Sequence, residues 1–210
     1  FMTRVIKSIN KDANTPKWLK KRLEQSGYKS INAIVDIANF VMLETGQPLH
    51  TYDLKKINEK IIVRRANDKE AIDILDGSRK LLDSDFLVIA DSKKALGIAG
   101  IMGSLDSGIS DYTENIVLES AYFNYKTIMG RARSLSLHSE ASMRFERGVD
   151  PMIQEYAIQR FTSLINEIAG GSNGPIHSSI SKKALPKNKF ITLRKNKIKQ
   201  ILGKIGRAHV

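Results

Sequence analysis

Few side chains in this sequence can do chemistry, and their spacing narrows the options. There is no cysteine, which removes thiol nucleophiles, disulfides and thiolate zinc sites together. Four histidines, His50, His138, His177 and His209, are scattered and offer no metal-ligand spacing. The glycine-containing run from Gly97 to Gly103 lacks the lysine that a phosphate-binding loop needs. What remains is a handful of single residues in informative places. Glu119 directly follows Ile116-Val117-Leu118, an apolar strand, where an inward charge is anomalous and an outward one is an ordinary solvated strand end. His50 comes just past Gly46-Gln47-Pro48, a turn-rich loop, and a neutral imidazole there can both donate and accept a hydrogen bond. Gly103, in Ile101-Met102-Gly103-Ser104, allows a close approach between backbone and ligand, or is an ordinary turn glycine. Ser139 and Glu140 have the make-up of a helix N-terminus. Arg144-Phe145-Glu146-Arg147-Gly148 offers internal ion pairs or phosphate contacts, and Glu146 between two arginines favours the internal role.

These residues need a scaffold, and the composition supplies one. With 210 residues, 41% hydrophobic and 27% charged, the chain can bury a useful core. The excess of 34 Lys+Arg over 22 Asp+Glu gives +12, which favours polyanions such as nucleic acid or an anionic membrane surface. Runs such as Lys17-Trp18-Leu19-Lys20-Lys21-Arg22 also read as the wet face of a helix. No apolar run approaches bilayer-spanning length and no signal peptide precedes the first motif, which fits a cytoplasmic protein with no membrane partner.

Residues 3–9 read as a strand. Asn14-Thr15-Pro16 predicts a helix start with a capping side chain and proline in the first turn, and Gly27 a stop. A second helix is expected from about Ser30 to Glu44, where apolar residues recur three and four apart before Gly46. Short strands follow: Ile61–Val63, Ala71–Leu75, Lys80–Leu82, Phe86–Ala90, Leu96–Ala99 and Asn115–Leu118, with Asp76-Gly77 as a hairpin turn. Helices resume near Tyr125–Arg133 and at Pro151–Ile168, where Gly170-Gly171 ends the run. Residues 172–189 read as a linker or an edge strand with loops. Phe190–Arg194 and Ile198–Gly203 read as the strand and first helix of another unit. Helices around a strand-rich middle predict an α+β fold rather than alternating βαβ units.

Several longer strings carry a resemblance. They are Ser30-Ile31-Asn32, then Val35-Asp36-Ile37-Ala38-Asn39-Phe40-Val41-Met42-Leu43-Glu44 and Gly46-Gln47-Pro48-Leu49-His50. Leu96-Gly97-Ile98-Ala99-Gly100-Ile101-Met102-Gly103 and Asn115-Ile116-Val117-Leu118-Glu119-Ser120-Ala121-Tyr122-Phe123 follow, and Leu137-His138-Ser139-Glu140-Ala141-Ser142-Met143-Arg144-Phe145-Glu146-Arg147-Gly148-Val149-Asp150 closes the set. In order and spacing they resemble the beta subunit of bacterial phenylalanyl-tRNA synthetase, from about Thr3 to Gly203. The resemblance implies layered sheets and helices, with a tRNA-editing domain over 1–184 and the truncated start of the next domain over 185–204. It implies hydrolysis of tyrosine wrongly attached to phenylalanine tRNA. The partners it implies are that tRNA and an alpha subunit, in a heterotetramer of two alpha and two beta chains. ATP and Mg belong to the whole enzyme, with the synthetic site in the alpha subunit and no cofactor expected in this part.

The chemistry of such an activity is demanding, because phenylalanine and tyrosine differ by one para hydroxyl. An apolar synthetic pocket rejects an added hydroxyl weakly, so a second, hydrolytic site is required that rewards it. A buried carboxylate does so by accepting a charge-assisted hydrogen bond from tyrosine and standing unpaired before phenylalanine. The resemblance puts Glu119 in that role. It puts His50 in the pocket, placing the terminal ribose or the attacking water, and makes Gly103, Ser139 and Ala141 pocket positions, with Asn39 and Lys29 beside it.

The sequence also departs from the pattern. Lys29 stands where the family usually has arginine, Ser139 for threonine, Glu140 for aspartate, Met143 for histidine, Ala38 for threonine and Ser104 for a second glycine. Lysine keeps the charge but loses the bidentate fork. These changes keep an alternative open, an editing-inactive scaffold or tRNA-binding module. A stand-alone RNA-binding module is disfavoured by 7% aromatic content and no aromatic-glycine ribonucleoprotein signature. Finally, Ile205-Gly206-Arg207-Ala208-His209-Val210 breaks from the family pattern and resembles a translated sequencing adapter. The expectation is a non-native tail over 205–210 on a piece of a longer beta subunit.

Overall fold

The computed structural model describes residues 1–186 and 190–203. In chain order the elements are β1 (Met2–Lys7), α1 (Lys17–Gln25), α2 (Ala33–Thr45), β2 (Leu49–Asp53), β3 (Ile62–Arg65), β4 (Glu70–Asp73), β5 (Arg79–Leu82), β6 (Leu87–Ala90), β7 (Ala95–Ile98), β8 (Met102–Gly103) and β9 (Ile116–Ser120). Then come α3 (Tyr125–Ile128), α4 (Arg131–Ser134), α5 (Glu140–Arg147), α6 (Gln154–Ala169), β10 (Ser172–Ser178) and α7 (Lys195–Leu202). The fold is α+β, as the element order implies.

Helix boundaries follow from where backbone and side-chain donors find partners. Thr15 does not cap α1 as expected, because its hydroxyl donates to Asp36 at 2.6 Å and α1 starts without a side-chain cap. Asp36 is buried and also accepts from the Ser30 hydroxyl and the Ile31 backbone N–H. That draws residues 30–31 out of the helix, so α2 begins at Ala33, capped by Asn32, which accepts from the Val35 N–H at 3.0 Å. At the other end Gly46 takes φ 76°, the left-handed conformation that ends helices. Pro151 lies in a turn ahead of α6, which begins at Gln154 rather than at the proline. The expected strand over 190–194 does not form; Phe190, Ile191 and Leu193 are exposed ahead of α7. Residues 204–210, which include the non-native tail expected over 205–210, lie outside the described residues.

Among the described residues, two four-stranded antiparallel sheets and one hairpin make up the β structure. The first sheet has the order β10-β1-β9-β2, the second β3-β6-β7-β8, and β4 pairs with β5 across Asp76-Gly77. Each face of the first sheet carries its own core. Ile6, Ile116 and Leu118 point to one side, where α1, α2 and α6 bring Leu19, Leu23, Ile37, Val41, Phe161 and Ile165. Tyr52 and Val117 point to the other, against Val88, Ile89, Leu96 and Ile98 of the second sheet and Phe123 and Phe145 beyond it. Strand alternation explains the split, since successive side chains leave opposite faces. No helix among the described residues is long and apolar enough to cross a membrane.

Candidate functional site

Register, rather than sequence proximity, assembles the site. In the first sheet Thr3 of β1, Glu119 of β9 and His50 of β2 lie side by side, and Tyr52 follows two residues after His50 on the same face. His50 is therefore a strand residue, where the sequence suggested a loop. Glu119 lies within β9 rather than after its end, so its side chain turns inward with 7% of the residue exposed. The segment entering β2 is held by a buried amide pair. Gln47 donates to the Pro48 and Ala121 carbonyls and accepts from Gln154 at 3.0 Å.

Opposite this face, β7 and β8 form a wall made thin by glycine. Gly97 pairs with Gly103, and a Cβ on Gly97 would lie 3.1 Å from the Gly103 Cα. A Cβ on Gly103 would fall 2.5 Å from both Cε1 and Nε2 of His50, so only glycine leaves the imidazole its place. Between wall and sheet lies a narrow cleft of about 70 Å³, lined by His50, Tyr52, Glu119, Gly97 to Gly103, and Ala141 and Phe145 from α5. Its mostly apolar lining suits an aromatic group.

The polar groups at the cleft are few and perturbed. Glu119 Oε2 accepts a hydrogen bond from the Tyr52 hydroxyl at 2.5 Å, and its other oxygen has no partner among the described residues. Burial pushes the Glu119 carboxyl up to about 7, against the smaller opposing pull of the Tyr52 hydrogen bond. Burial likewise holds the His50 imidazole down at about 4, so it is neutral at physiological pH. His50 Nε2 is shielded from solvent and has no hydrogen-bond partner. The ring packs edge-to-face on Tyr52, with centroids 4.5 Å apart. Such an arrangement can bind an aromatic group carrying a hydroxyl, while the shielded His50 Nε2 faces Gly103.

Of the residues singled out from sequence, His50, Glu119, Gly103 and Ala141 meet at this cleft. Ser139 caps α5 instead: it accepts from the Ser142 N–H, and its hydroxyl donates to the Ile101 carbonyl at 2.7 Å, fixing the helix to the glycine wall. Lys29 is exposed in the loop before α2, and Asn39 is half-buried on α2; neither lines the cleft. Arg144 pairs with Glu140 at 2.6 Å rather than with Glu146, and Glu140 also accepts from the Tyr28 hydroxyl. The internal role expected for this segment stands, with a different acid. Tyr52 was missed. Reading Leu49-His50-Thr51-Tyr52 as a strand would have placed it beside His50 by period-two alternation. Among the described residues no group of three His, Asp or Glu is placed to hold a metal ion.

Comparison with known proteins bears directly on this arrangement. The family described as "B3/4 domain" matches residues 1–170. The chain belongs to the B3/4 domain family. The chain is 47% identical over 203 residues to the phenylalanine–tRNA ligase beta subunit of Yersinia pestis, covering 97% of the chain and 26% of that relative. The beta subunit of Vibrio cholerae gives the same identity and coverage. The chain thus spans 26% of the length of these curated relatives. A crystal structure of an N-terminal fragment of the phenylalanyl-tRNA synthetase beta-subunit from Pyrococcus horikoshii aligns over 99% of the chain and 62% of the fragment. Its TM-score is 0.51 at 14% identity, a likeness of fold.

Proposed function

We propose that this B3/4 domain hydrolyses tyrosine wrongly esterified to phenylalanine tRNA, as part of a phenylalanine–tRNA ligase beta subunit working with an alpha subunit in a cytoplasmic heterotetramer. ATP and Mg would serve synthesis in the alpha subunit. The observation that carries the reading is Glu119: a carboxylate buried at a mostly apolar cleft, with one oxygen lacking a partner among the described residues. A tyrosine hydroxyl reaching that oxygen donates to it and favours its ionised form. A phenylalanine ring brings only C–H to the same place and leaves a buried acceptor unmatched. His50, neutral and lining the cleft, is suited to help place the attacking water or the terminal ribose. Water adds to the ester carbonyl carbon, the bond to the ribose oxygen breaks, and free tyrosine and the ribose hydroxyl result.

The test is deacylation of tyrosine-charged phenylalanine tRNA by the complete tetramer carrying Glu119→Ala. Loss of a charge-assisted hydrogen bond of about 1.5–3 kcal/mol should slow tyrosine release roughly ten- to a hundredfold. Phenylalanine charging should persist, and unchanged tyrosine release would remove the basis of the reading. A second reading, an editing-inactive scaffold or tRNA-binding module, draws support from Ser139, whose hydroxyl is consumed within the protein, and from exposed Lys29. The same assay on the unaltered enzyme separates the two.

A further inference from the structure

The two oxygens of Glu119 are not equivalent. Oε2 is engaged at 2.5 Å by Tyr52, a residue only 1% exposed, while Oε1 accepts nothing from the described residues. The phenol on Oε2 belongs to the protein and is fixed twice, by the β2–β9 ladder and by its edge-to-face contact with His50. A glutamate carboxylate otherwise turns broadly about its last torsion and offers both oxygens. We infer that Tyr52 is a positioning and specificity residue, which pins one oxygen of Glu119 so that the other alone meets a para-hydroxylated aromatic substrate. This rests on the proposed reading of Glu119 as the group that recognises tyrosine.

The surroundings leave this task to Tyr52. Beside Glu119 on β2 stand His50 and Tyr52, and on β1 the uncharged Thr3. The cleft wall presents glycines, Ile98 and Met102, and α5 presents Ala141 and Phe145, none of them titratable. Tyr52 is thus the one hydrogen-bond donor to the carboxylate among the described residues. Its donation favours the ionised, acceptor-only form that a substrate hydroxyl needs. Tyr52 remains a donor throughout, because burial first and then the Glu119 charge push its own ionisation well above the usual range.

The experiment compares Tyr52→Phe, Glu119→Gln and the double variant in the complete tetramer, following release of tyrosine and of phenylalanine from charged tRNA across pH. Phenylalanine at 52 keeps the ring, its packing and its contact with His50, and removes one oxygen. Expected is a fall in kcat/KM for tyrosine release of roughly tenfold or more. The ionisation that limits tyrosine release should move to higher pH, and Tyr52→Phe should cause no further loss once Glu119 is Gln. Fluorotyrosine at 52, a stronger donor of the same shape, should move that ionisation the other way and guards against misfolding of the Phe variant. Losses that multiply in the double variant, or a slower enzyme with an unmoved pH profile, would make Tyr52 a packing residue only and overturn the inference. Tyrosine release slowed by Glu119→Gln but not by Tyr52→Phe overturns it alone. Release unaffected by Glu119→Gln overturns the editing reading and this inference together.

Discussion

Strand β9 sends Ile116, Leu118 and Ser120 toward the helices and Val117 and Glu119 toward the second sheet, so five consecutive residues serve two cores of different character. On the helical side the fit is apolar, and the polar atoms left over are modest. They are the Ser120 hydroxyl and the Nε of Arg4, whose neighbouring Nη1 is bonded to Gln159 and Thr162. On the cleft side the unmatched valences sit on two titratable groups, and burial has shifted both. A side chain that only has to pack can be satisfied in advance. One that has to meet a visitor must be left partly unsatisfied, at a cost borne by the packed face.

Three tests probe that division. Leu118→Ala, on the fully buried helical face, should cost about 2–5 kcal/mol in denaturant unfolding. It should leave the relative release of tyrosine and phenylalanine by the folded enzyme unaltered. A changed preference would mean that the two faces are coupled.

The second test uses the opposed shifts of the cleft pair. A carboxyl whose folded value is raised to about 7 stabilises the fold at low pH, and that contribution fades as pH rises from its ordinary value of 4.5 through 7. An imidazole lowered from 6.5 to about 4 does the reverse, contributing above 6.5 and losing its contribution as pH falls to 4. Each amounts to about 3 kcal/mol at the limit, and between pH 4.5 and 6.5 they oppose. Glu119→Gln should therefore unmask a stability that rises with pH over this range, and His50→Gln one that falls, both measured by denaturant midpoints. Identical slopes in the two variants would deny that the groups share one buried environment.

Gly103→Ala is the finest probe. The new methyl overlaps the His50 ring, which Tyr52 holds from the other side, and the expected cost is about 1–3 kcal/mol with loss of the imidazole's position. A stable variant with unaltered pH dependence would show that the ring has room to move.

Much of this division is legible in the sequence. The anomaly of a glutamate beside Ile116-Val117-Leu118 points to the cleft, and the helical spacing in 30–44 and 151–168 points to the packed face. What escaped depends on pairing between distant strands. Nothing local tells that His50 faces Glu119, because their neighbourhood comes from a register set by residues far apart in the chain. The turn residues Gly46-Gln47-Pro48 masked the start of β2, and with it Tyr52. Ser139 was foreseen both as a cap and as a pocket residue, and the contact that engages its hydroxyl, the Ile101 carbonyl, is 38 residues away. Thr15 shows the same limit, its capping role diverted by an aspartate 21 positions on.

The order β10-β1-β9-β2 carries a consequence in time. Strand β1 is synthesised before its partners, since Ile116–Ser120 and Ser172–Ser178 follow more than a hundred residues later. At about 5–20 residues per second of synthesis, the last of them arrives roughly ten to thirty seconds after β1. During that interval β1 waits with both edges unpaired. The sheet that bears the cleft is thus completed only after β10 has been made, and the cleft face cannot be assembled before then.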